Sequence, residues 1–88
     1  MDNLQKHYLQ RLAYAQKMAL DGYSGTCMNI CLELRLEPDL AMHTRALVCL
    51  TLCELVEDGA TRIVLAEEAE RIAKELQVST HGLALTIA

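Results

Sequence analysis

The residues of this chain best suited to chemistry are four cysteines, Cys27, Cys31, Cys49 and Cys53, which fall into two C-x-x-x-C pairs. Thiols in such pairs can oxidise to disulfides, hold a soft metal ion, or pack as small apolar side chains. Residues four apart on a helix share a face with Cβ atoms about 5–6 Å apart. A disulfide needs about 3.5–4.5 Å, so any bridge must cross between helices. Cys27 lies as far before Leu40 as Cys53 lies after it, and Cys31 and Cys49 are symmetric about the same residue. A helical hairpin turning there sets Cys27 opposite Cys53 and Cys31 opposite Cys49. Structural zinc prefers closely spaced cysteines on turns to apolar helix faces, so no metal ligands are assigned.

Other chemistry is thin. His7, His43 and His81 are far apart in sequence, and no cysteine–histidine dyad can be placed from spacing. The stretch GYSGT, Gly22 to Thr26, misses the G-x-S-x-G spacing of a nucleophile elbow. There is no glycine-rich phosphate loop and no H-E-x-x-H. The carboxylates of EEAERIAKE form a charge run of the kind that keeps a helix face solvated. An enzyme is not expected, and no cofactor is implied.

The chain has 88 residues, enough for a single domain over 1–88. It is 52% hydrophobic but only 3% aromatic, so the core must be built from Leu, Ala, Ile, Val, Met and Cys. Four glycines and one proline are too few for a sheet protein, which needs frequent turns. Helix formers dominate, so the expected class is all-α. A net charge of −4 with scattered cations argues against nucleic acid. No apolar run reaches the ~18–20 residues of a membrane span. The first twenty residues carry Lys6, Arg11 and Lys17 against Asp2 alone and lack the apolar block of a secretory signal. They read as a first helix, in a cytoplasmic protein.

Periodicity predicts four helices. The first runs from about Asn3 to Leu20, with Leu4, Tyr8, Leu12, Ala15 and Ala19 on one face and Asp21-Gly22 ending it. The second runs from about Ser24, as N-cap, to Glu37, before Pro38, and turns Cys27, Ile30, Cys31 and Leu34 inward. The third, from about Asp39 to Glu57, contains ALVCLTLCELV, apolar nearly all round, and should be central or covered by a partner. Asp58-Gly59 closes it. The fourth, from about Ala60 to Gln77, buries Leu65, Ala69, Ile72 and Leu76. The tail, 78–88, reads as a short fifth helix capped at Ser79 or Thr80, or as an arm in which Leu83, Leu85 and Ile87 alternate.

The order helix, Asp-Gly, helix thus occurs twice, with Asp21 and Asp58 37 positions apart. Periods of this size mark stacked helical hairpins, here about 3–37 and 39–77. With Ala15, Gly22-Tyr23 and the ending LELRLEPD, Leu32 to Asp39, the chain resembles a tetratricopeptide (TPR) repeat. That resemblance implies two antiparallel hairpins stacked TPR-like, and a concave surface on the first helix of each that takes a peptide or helix of a partner. On this chain Arg11, Tyr14, His43 and Arg45 would supply that surface. Two hairpins are fewer than the three or so repeats that usually close such a stack, so a homodimer or another protein partner is expected.

The two C-x-x-x-C pairs also resemble the twin-cysteine hairpin of small chaperones of the mitochondrial intermembrane space. That resemblance implies two inter-helix bridges and apolar membrane precursors as clients. Met28, Ile30, Leu32, Leu47, Val48, Leu50 and Leu52, however, surround the cysteines with a continuous apolar core that does not need staples. Packing thiols in a non-catalytic interaction module are therefore the reading taken, with the disulfide chaperone as alternative. Alkylating the denatured, unreduced protein and weighing it should give four adducts. None would mean two bridges, and the alternative would lead.

Overall fold

The structure, a computed structural model, describes residues 2–77. The expectations for the tail lie outside the described residues. Four helices follow in order: α1 (Asn3–Leu20), α2 (Ser24–Arg35), α3 (Met42–Leu55) and α4 (Gly59–Glu75). There is no strand among the described residues, and the fold is all-α. α1 packs along α2 and α3 along α4; α3 also packs on α2 and touches α1. The short turns after α1 and α3 make each pair an antiparallel hairpin. The backbones of α2 and α4 do not meet.

α3 occupies the centre, as its nearly unbroken apolar sequence requires. Ala46, Leu47, Val48, Cys49 and Leu52 are all buried, so the buried positions wrap around the helix instead of forming one stripe. Tyr8, Leu12 and Ala15 of α1 join this core, with Cys27, Cys31 and Leu34 of α2 and Leu65, Ala69, Ile72 and Ala73 of α4. Burying each large aliphatic side chain contributes about 1.5–3 kcal/mol, so this layer dominates stability. Two expected stripe residues lie at its edge: Leu4 is 44% and Leu76 42% exposed.

Helix ends depart from expectation for local reasons. α2 stops at Arg35 instead of Glu37, because Pro38 bars Glu37 from helix and Arg45 takes the last carbonyls. α3 starts at Met42 instead of Asp39. The connector before it is clasped by Gln5, whose side-chain amide donates to Asp39 O at 2.6 Å and accepts from Ala41 N–H at 3.0 Å. Ser24 is not the N-cap of α2: it is the first helical residue, and the cap position falls to Tyr23, which makes no side-chain cap bond.

The two Asp-Gly pairs play opposite parts. Gly22 follows α1 with φ +95°, the left-handed conformation that ends a helix. Asp58 instead opens α4: its carboxylate accepts from Thr61 N–H at 3.0 Å, and Gly59 is already helical. α3 has by then ended at Leu55, with Val56 extended.

Two glycines near one turn therefore separate by substitution. A Cβ at Gly25 meets nothing within 4 Å and its backbone is helical, so Gly25→Ala, in the first turn, should raise stability by about 0.5 kcal/mol. Gly22→Ala should lower it by about 1 kcal/mol, because its φ is positive. Chemical denaturation of both variants checks this. Equal effects would contradict the assigned backbone.

Candidate interaction surface

All four cysteines are free thiols. Cys27 and Cys31 are fully buried, one turn apart on α2. Burial, reinforced by the neighbouring Cys27, pushes the Cys31 thiol up to about 12. Cys27 is raised by burial too, partly offset by the neighbouring Cys31 thiol. Cys49, also fully buried, donates to Glu68 Oε2 at 2.9 Å; burial and then that carboxylate push it up to about 12. Cys53 is half-buried, its Sγ 3.6 Å from Arg62 O. The three buried thiols stay protonated at neutral pH and are poor nucleophiles.

The pairing Cys27–Cys53 and Cys31–Cys49 is therefore not what this structure holds. Symmetry about Leu40 treats the connector as a tight turn. α3 begins only at Met42, and Cys49 and Cys53 meet acceptors on α4, Glu68 and Arg62 O. Among the described residues no three His, Cys, Asp or Glu side chains are grouped to hold a metal ion.

Cys49 belongs to a polar node that sequence reasoning missed. Glu68 Oε2 accepts from Arg35 Nε at 3.2 Å and Nη2 at 3.0 Å as well as from Cys49. Its side chain is 17% exposed, and Arg35's is 35%. Arg45 of α3 donates to Arg35 O and Glu37 O, both at 2.8 Å, and so caps α2. The node joins α2, α3 and α4 where α2 and α4 have no backbone contact. No local signal in the sequence marks it, since its partners lie eight to 33 residues apart.

Of the four expected surface residues, Arg11 and Tyr14 lie on α1 and His43 and Arg45 on α3. Arg11 pairs with Glu33 at 2.9 Å across α1 and α2. Tyr14 is 54% exposed. His43 is half-buried, and the guanidinium of Arg45 is committed to α2. What stands out instead is apolar: Leu36 is 84%, Ile63 60% and Val64 56% exposed, with Leu32 at 44%. Leu32 and Leu36 are one turn apart and share the outer side of α2.

Two open clefts lie between α2 and the second hairpin. One, about 430 Å³, is lined by Arg35 of α2 and by Val64, Glu67, Glu68 and Arg71 of α4. The other, about 560 Å³, lies between Ser24, Gly25 and Met28 at the start of α2 and the α3–α4 turn. The start of α2 thus faces the start of α4, and its end faces the middle of α4. The two helices run in the same direction, with a groove between them.

The node has a pH signature. Burial alone would raise the Glu68 carboxyl, but hydrogen bonds from Cys49 and Arg35 and the charges of Arg35 and Arg45 more than offset this and hold it below the usual range. A carboxyl lowered by folding stabilises the fold above its unfolded pKa, and that stability is lost as pH falls through the folded value. Glu68→Gln should therefore melt below the wild type at neutral pH, and the gap should close on acidification past the ordinary carboxylate range. A gap independent of pH would show that the charge contributes nothing.

No known protein family, no characterised protein and no solved structure matches this chain.

Proposed function

We propose that this chain is a non-catalytic protein–protein interaction module, an adaptor or scaffold of TPR-like hairpins that works in the cytoplasm. On this reading it self-associates or is seated on a protein partner. The observation that carries it is the apolar surface left exposed on α2 and α4 and at the mouth of the smaller cleft between them, at Leu32, Leu36, Ile63 and Val64. Scattered exposed leucines are ordinary. Here two lie one turn apart, and Val64 lines a cleft beside Arg35, next to Leu36 in the chain. Apolar surface of this kind, rimmed by charge, usually serves association.

Supporting this reading, the buried thiols pack as core residues, and among the described residues no buried side-chain N or O atom lacks a hydrogen-bond partner. The twin-cysteine alternative needs Cys49 and Cys53 to leave Glu68 and Arg62 for the cysteines of α2, against the packing of α3 on α4.

Sedimentation equilibrium over a wide concentration range tests self-association. The wild type should form dimers or larger species. Leu32→Gln with Leu36→Gln should weaken the association at least about tenfold while leaving the melting temperature near that of the wild type. A wild type monomeric throughout would remove the homo-oligomer and leave only a separate partner.

A further inference from the structure

The larger cleft is an apolar trough with one charged wall. Met28, Leu55 and Val56 form its floor, half-buried and packed on the core. Glu54, Glu57 and Asp58 stand exposed along one side. No Lys or Arg lines it. Arg62, at the same turn, directs its guanidinium onto Val56 O at 2.7 Å. The start of α2 opens on the same space with no side-chain cap. It supplies about half a positive charge, as does the start of α4 at Thr61, and with Arg62 these still fall short of the three carboxylates by about one charge.

Gly25 is the second observation. It lies in the first turn of α2, where glycine still costs backbone entropy relative to alanine, by less than the about 1 kcal/mol of a helix interior. Neither of the usual structural reasons applies, since its φ is not positive and a Cβ would meet nothing within 4 Å. Glycine also serves where a backbone must be approached closely by another molecule, and Gly25 lines the trough.

We infer that this trough docks a basic, apolar segment of another protein. An aliphatic side chain of that segment sits on Met28 and Val56, its flanking Lys or Arg reaches Glu54 and Glu57, and its backbone comes against α2 at Gly25. Charge complementarity selects this occupant over the chain's own 78–88, which holds no Lys or Arg. The assignment rests on the interaction reading but not on self-association, which is placed at Leu32, Leu36, Ile63 and Val64, none of which lines this trough.

The test is amide-resolved titration of the full chain with a short peptide carrying Leu and Lys at helical spacing, beside a Leu/Glu peptide of the same length. The Leu/Lys peptide alone should shift the resonances of Gly25, Met28 and Val56. Its affinity should fall about tenfold in Glu54→Gln with Glu57→Gln, and as far in Gly25→Leu, whose side chain fills the trough. Gly25→Leu should melt no lower than the wild type, so its loss of binding cannot come from unfolding. Glu70→Gln with Glu75→Gln should bind as the wild type does.

Absence of binding, shifts centred on other residues, or equal loss in the Glu70 and Glu75 variant would overturn the proposal. The same resonances moving with protein concentration, without peptide, would make a second copy the occupant and overturn it as well. A monomeric wild type that binds the Leu/Lys peptide at Gly25 would remove self-association and leave this docking site standing.

Discussion

The structure depends on the need to cover α3 from several sides at once. A helix with Ala46, Leu47, Val48, Cys49 and Leu52 all buried cannot lie at the surface with one face down. α2 and α4 take two of its flanks, and α1 reaches it past α2. Each neighbour needs only a single stripe to do this, and that leaves its other side for solvent or for another molecule. The division between a wholly apolar centre and three amphipathic neighbours explains how so small a chain builds a core almost without aromatic residues.

Polar chemistry is fitted around that centre. The pair Arg11–Glu33 lies on the surface, where such pairs contribute about 0–1 kcal/mol. Glu68 is more enclosed, and loss of one partner there would leave a poorly solvated charge, which is the costly outcome for such groups. The node therefore acts mainly on arrangement, fixing how α4 is set against the end of α2. Arg45 adds to this by taking two carbonyls that the end of α2 leaves without helical partners.

Much of the fold is legible in local pattern. The bounds of α1 follow from its stripe and from Gly22, and the centrality of α3 follows from its lack of a polar face. Pro38 places the end of α2 within two residues. Asp58-Gly59 was open to misreading because Asp-Gly suits either end of a helix; the bond from Thr61 N–H to Asp58 decides it. The cysteine partners were not legible, since they depend on how α3 is rotated, which the bulk of α4 sets. Arg45 read as free surface for the same reason. Its acceptors are carbonyls of another element, and backbone carbonyls carry no sequence signature.

The gap between α2 and α4 has a mechanical consequence. On one side the two hairpins are joined by helix packing through α3. On the other, among the described residues, the ion pair Arg35–Glu68 spans the groove. Bending of one hairpin against the other about α3 meets little resistance on that side, because side chains and not packed backbones set the width of the groove. The stack is thus a stiff spine with one compliant seam.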